Sequence, residues 1–128
     1  KRIDAEEIEQ LRAVVKKMAA QDKARKAEAY FALNVEFHDI LARAAGNGAL
    51  LTHYRRVVNE LDLYRRETIS RSTENIPIST REHEAIVTAV SRRDEKLAER
   101  LLTEHVLQSR ERLHGALAKP PARSSRGE

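Results

Sequence analysis

Asn34-Val35-Glu36-Phe37-His38, inside the run Ala27-Glu-Ala-Tyr-Phe-Ala-Leu-Asn-Val-Glu-Phe-His-Asp-Ile-Leu-Ala-Arg-Ala-Ala-Gly46, is the stretch whose reading decides the fold. Helical residues four apart converge on one face, so Asn34 and His38 point the same way. Tyr30, Phe31, Phe37, Leu41 and Ala45 mark the apolar stripe they share, which makes that direction inward. A polar pair on a buried face has to be satisfied by something. Two further histidines, His83 and His105, fall at core-facing helical positions, and the four residues read together as one metal site.

Around this stretch the chain reads as helix throughout. Asp4 is a predicted N-cap with Glu7 three residues on, and Ile8, Leu11, Val15 and Met18 supply an apolar face to about Ala20. Gln21-Asp22 is the expected break, with Asp22 capping the central helix and Gly46-Asn47-Gly48 ending it. A third helix is expected from about Ala49 to Ser70. Ser70 to Ser79, polar and containing Pro77, reads as a loop. Ser79 or Thr80 then caps a short helix with Ile86, Val87 and Val90 inside. Arg92-Arg93-Asp94 is a tight connection, and Asp94 caps a last helix holding Leu97, Ala98, Leu101, Leu102, His105, Val106, Leu113 and Leu117. No strand signal appears. The expectation is an all-α antiparallel bundle of about five to seven helices, one domain over residues 1–117 with a disordered tail at 118–128.

Composition agrees. Ala, Leu, Glu and Arg are abundant, aromatics sparse, and 128 residues suffice for one real core. There is no cysteine, which excludes disulfides and thiolate metal sites. No apolar run approaches the roughly 20 residues that span a bilayer, and a cytoplasmic protein without membrane contact is the expectation. The net charge of +4 and pI near 9.6 raise the question of nucleic acid, but acidic and basic residues interleave as on a solvated helical surface.

Each histidine alone reads as a hydrogen-bonded core residue. Three from three separate helices change that reading, because burying three imidazoles without a common partner would cost about a few kcal/mol. A divalent cation of the zinc, nickel or manganese type answers all of them, with Asn34 adding its amide oxygen. Such a shell carries no protein charge, so the ion keeps its +2 and attracts an anion into an open position. His53 lies between Leu50 and Val57 and fringes the same cavity. Arg65 and Arg12, each one turn beyond a core residue, are the candidates to pair with a bound carboxylate; a solvated surface role competes for both. His114 reads as surface.

Asn34-x-x-Phe37-His38, Leu41-Ala-Arg-Ala-Ala-Gly-Asn47, Glu82-His83-x-x-Ile86-x-x-Ala89-Val90 and Asp94 opening the helix of His105 closely resemble the C-terminal effector-binding (FCD) domain of FadR-type GntR transcription regulators. The resemblance covers about Ile3 to Leu117. In many members the first ligand is an aspartate; Asn34 at that position leaves the site more positive and favours an anionic effector. The resemblance implies an all-α domain that forms a homodimer, binds a small organic acid beside the metal, and reaches DNA only through an N-terminal winged helix-turn-helix. No helix-turn-helix pattern precedes Asp4, so this chain is expected to be the sensor half. Two other readings stay open. An enzyme could use an open metal site, although Glu82, Glu84 and Glu104 are expected to point to other faces and only Glu111-Arg-Leu-His114 offers a Glu-x-x-His pair. A metal-free domain could instead take a larger acyl ligand.

Overall fold

The computed structural model describes residues 3–46, 52, 55, 56, 59 and 75–118. The described residues form helices and no strand. Four helices have defined ends: α1 (Ala5–Lys23), α2 (Ala27–Ala44), α3 (Ile76–Ser91) and α4 (Glu95–Ala118). Between α2 and α3, Thr52, Arg55, Arg56 and Asn59 are also helical. The fold is therefore all-α. Most of the expected third helix, and the tail from Lys119, lie outside the described residues. No helix among the described residues is long and apolar enough to cross a membrane.

Helix α1 starts where the sequence says. The Asp4 carboxylate accepts from the Glu7 amide at 2.8 Å, and the Glu7 carboxylate accepts from the Asp4 amide at 2.9 Å. This reciprocal pair satisfies two of the donors a helix start leaves open, worth about 1 kcal/mol. Ile8, Leu11, Val14, Val15 and Met18 then bury one stripe.

The expected break at Gln21-Asp22 is not there. Helix α1 continues to Lys23, and the turn is made by residues 24–26. The Gln21 and Asp22 carbonyls accept from Lys26 and Arg25, at 3.0 Å each, with Arg25 left-handed at φ 56°. This is a backbone closure in which arginine occupies the position glycine usually takes. Asp22 caps nothing; Lys26 precedes α2 without a side-chain cap. The end of α3 repeats the motif: Arg93 (φ 57°) donates to the Val90 carbonyl, and Asp94 to Ala89. Here the Asp94 cap holds, its carboxylate accepting from the Leu97 amide at 3.1 Å. Gly46, at φ 71°, closes α2 as expected.

Helix α3 begins earlier than its polar lead-in suggests. Asn75 precedes it without a side-chain bond, and Pro77 sits in the first turn rather than in a loop. Proline fits there because first-turn N–H groups have no helical acceptor to lose. Thr80 lies inside the helix, its hydroxyl donating to the Ile76 carbonyl at 2.9 Å.

Three-residue connections make α1–α2 and α3–α4 two helical hairpins, and α1 packs on α3 to join them. The shared core comprises Leu11, Val14, Val15, Met18, Tyr30, Phe37, Ile40, Ile76, Ile86 and Val87. Leu41, Val90, Leu101 and Leu102 pack against it partly buried. Among the described residues, two assigned to apolar stripes face out: Ala45, which follows the last turn of α2, and Val106, which is 54% exposed on α4. Val106 follows the buried His105 by one residue, about 100° around the helix, and so leaves the packed face.

Candidate metal centre

His38 comes from α2, His83 from α3 and His105 from α4. One ligand atom from each lies within 4.8 Å of the others. The Nε2 atoms of His83 and His105 are each 3.3 Å from Nε2 of His38. Both are deeply buried, at 0% and 4% exposure. The His38 and His105 rings stack within 8° of parallel, whereas His83 meets His105 edge-on with centroids 4.3 Å apart. Phe37, fully buried one residue before His38, packs edge-on against His83 at 4.6 Å and walls the cluster.

The outer nitrogens decide which way the lone pairs point. Nδ1 of His83 lies 2.7 Å from the Ser79 carbonyl, one turn back on the same helix. A carbonyl only accepts, so Nδ1 carries the hydrogen and, in the neutral ring, Nε2 presents a lone pair. Nδ1 of His105 lies 3.1 Å from the Glu82 carboxylate, with the same consequence. Glu82 is itself gripped by Arg112, whose Nη2 donates to Oε1 and whose Nη1 donates to Oε2 at 3.4 Å. Arg112 also donates to Ser109 Oγ on its own helix at 3.3 Å. Glu82 was expected to face elsewhere. Its backbone does lie off the histidine face of α3, but its side chain reaches sideways to α4.

The cluster fits a metal ion on its donor set. Two nitrogens about 2.1 Å from one ion at angles of roughly 90–109° stand about 3.0–3.4 Å apart, and the observed spacing of 3.3 Å falls inside that range. A neutral His38 could offer a single Nε2–H to two facing lone pairs, whereas a cation takes all three nitrogens. The hydrogen bonds at His83 and His105 are the outer partners that ligating imidazoles usually have.

The remaining candidates are placed differently. Asn34 is buried on α2, one turn before His38. Arg12 is exposed and paired with Glu9 on α1. It lines a groove with Val15, Lys16, Glu84, Val87 and Arg92 that includes none of the three histidines. His53 and Arg65 lie outside the described residues. His114 is exposed, as expected. Sequence periodicity missed Glu82 and Arg112. The spacing signal for Arg112 was present, since seven residues after His105 is about two turns along the same stripe.

A family model described as the FCD domain matches residues 1–108 of the chain. No curated protein and no solved structure matches it.

Proposed function

The chain belongs to the FCD domain family, the C-terminal effector-binding domains of GntR-type regulators, and from that premise we propose that it senses a small organic acid at a divalent metal ion. His38, His83 and His105 hold the ion through Nε2, and Asn34 adds its amide oxygen. The observation that supports this reading is the convergence of three Nε2 atoms, two of them fixed as acceptors by hydrogen bonds at Nδ1. When bound, the ion supplies a Lewis-acidic +2 charge with coordination positions open to a carboxylate.

The chain's own residues do the rest. The neutral donor set leaves the ion's charge for the effector. Phe37 shields the histidines on one side, which strengthens electrostatic attraction there. Arg65 and His53 are the proposed outer contacts of the carboxylate, and Arg12 completes the proposed set. The ion draws ligands from α2, α3 and α4, so occupancy bears on how the two hairpins sit together. Differential affinity of the effector for two such arrangements is what regulation needs. We place the domain in the FadR subfamily, as a cytoplasmic homodimer acting on DNA through a winged helix-turn-helix outside this sequence. The role is regulatory rather than catalytic: Glu82 is engaged by His105 and Arg112, which makes it a structural acceptor rather than a general base.

Thermal denaturation with zinc and citrate tests the reading. Zinc at about 100 times its Kd should stabilise the protein by about 2.7 kcal/mol, and citrate should raise Tm further only when zinc is present. Citrate acting equally on chelator-treated protein would show that the ion is not the anchor.

A further inference from the structure

The outer nitrogens of His83 and His105 are set in different ways. His83 is set by the carbonyl of Ser79 on its own helix, which cannot be mutated away. His105 is set by a side chain from α3, and that side chain is held in turn by Arg112 from α4. We infer that Glu82 and Arg112 form a positioning relay for His105, fixing the nitrogen it turns toward His38 and His83 and so the affinity of the cluster for a metal ion. This rests on the metal-centre reading above.

The geometry supports a relay rather than a surface ion pair. The side chains of Glu82 and Arg112 are 18% and 20% exposed, and His105 is 4% exposed. The guanidinium reaches both carboxylate oxygens, which fixes the plane of the carboxylate as well as its distance. Ser109 fixes the guanidinium from one side. A carboxylate on Nδ1–H makes the opposite nitrogen of an imidazole a better donor to a metal, and losing such a partner typically costs 10–100-fold in metal affinity. Arg112 offsets the charge of Glu82, so the region beside the ligands gains orientation without gaining net charge. Glu82 therefore acts on His105 directly, and Arg112 acts only through Glu82.

That order of action gives a specific test. Zinc affinity is measured by competition with a chromophoric chelator for the wild type, Glu82→Gln, Glu82→Ala, Arg112→Met and the double variant Glu82→Ala/Arg112→Met. Circular dichroism of the zinc-free proteins checks that each is folded. The relay predicts about 10–100-fold weaker binding for Glu82→Ala. Glu82→Gln keeps an acceptor without the charge, so its loss is smaller. Arg112→Met should weaken binding in the wild-type background and have no added effect once Glu82 is gone. Nitrogen NMR of the zinc-free protein should show His105 as the Nδ1–H tautomer in the wild type and as a mixture in Glu82→Ala, a change that a merely structural role would not produce. Unchanged zinc affinity and an unchanged His105 tautomer across folded variants would overturn the relay. Failure of the wild type itself to bind zinc would overturn the metal centre and the relay with it.

Discussion

Two buried polar groupings each draw on α2 and α3, and they are built differently. In one, the hydroxyls of Tyr30 and Thr80 meet at 3.2 Å, and Thr80 also reaches the Ile76 carbonyl at 2.9 Å. Hydroxyls both donate and accept, so Tyr30 and Thr80, with Ser79 also bonded to the phenol, satisfy one another. In the other, three imidazole nitrogens face one another and two of them are fixed as acceptors. Burial is the same in kind for both: Tyr30 is 1% exposed, Thr80 5% and His83 0%. What separates the structural polar contact from the proposed metal site is therefore the donor–acceptor balance within it, not burial.

The comparison can be broken most directly by substitution at each side. His83→Ala should weaken zinc binding by more than about 100-fold, since a ligand rather than its outer partner is lost, and should abolish the zinc-dependent rise in Tm. Thr80→Val, one turn earlier on α3, should leave zinc affinity unchanged while lowering stability by about 1 kcal/mol, read from urea denaturation. A zinc defect in Thr80→Val would erase the distinction between the two groupings.

A smaller effect sharpens the hydroxyl side. Tyr30→Phe should cost about 1 kcal/mol, again with no change in zinc affinity by chelator competition. Smaller still is an alkaline effect. Burial, opposed in part by hydrogen bonds from Ser79 and Thr80, pushes the Tyr30 phenol above its ordinary value. The folded protein thus holds that proton more tightly than the unfolded chain does. The resulting stability is complete below the ordinary tyrosine range and is lost as pH climbs through the raised value. Urea midpoints measured from pH 8 to pH 11 should fall more steeply in the wild type than in Tyr30→Phe.

Much of this was legible from residue order. Asp4 and Asp94 announce helix starts because an aspartate cap works through its own local backbone, and both side chains accept three residues on. His38, His83 and His105 could be brought together because each sits on the apolar stripe of its helix. Other features left no such mark. Arg25 and Arg93 take left-handed positions where glycine would be expected, since three backbone hydrogen bonds at each helix end outweigh a steric cost of about 1–2 kcal/mol. Asn75 and Pro77 start α3 without a side-chain cap. Glu82 escaped because helical periodicity reports where a residue's Cα lies, while a long side chain at the edge of the packed face chooses its partner from the neighbouring helix.

The short turns at residues 24–26 and 92–94 have a kinetic consequence. Each hairpin can assemble from contacts close along the chain, the kind that forms early in folding. His38 belongs to the first hairpin, His83 and His105 to the second, separated from it by 45 and 67 positions. The proposed ion bridging them would gain its full set of donors only after the hairpins dock, late on the folding route. Its stabilisation would then fall on the rate of escape from the native state rather than on the rate of reaching it, about tenfold slower unfolding for every 1.4 kcal/mol of binding.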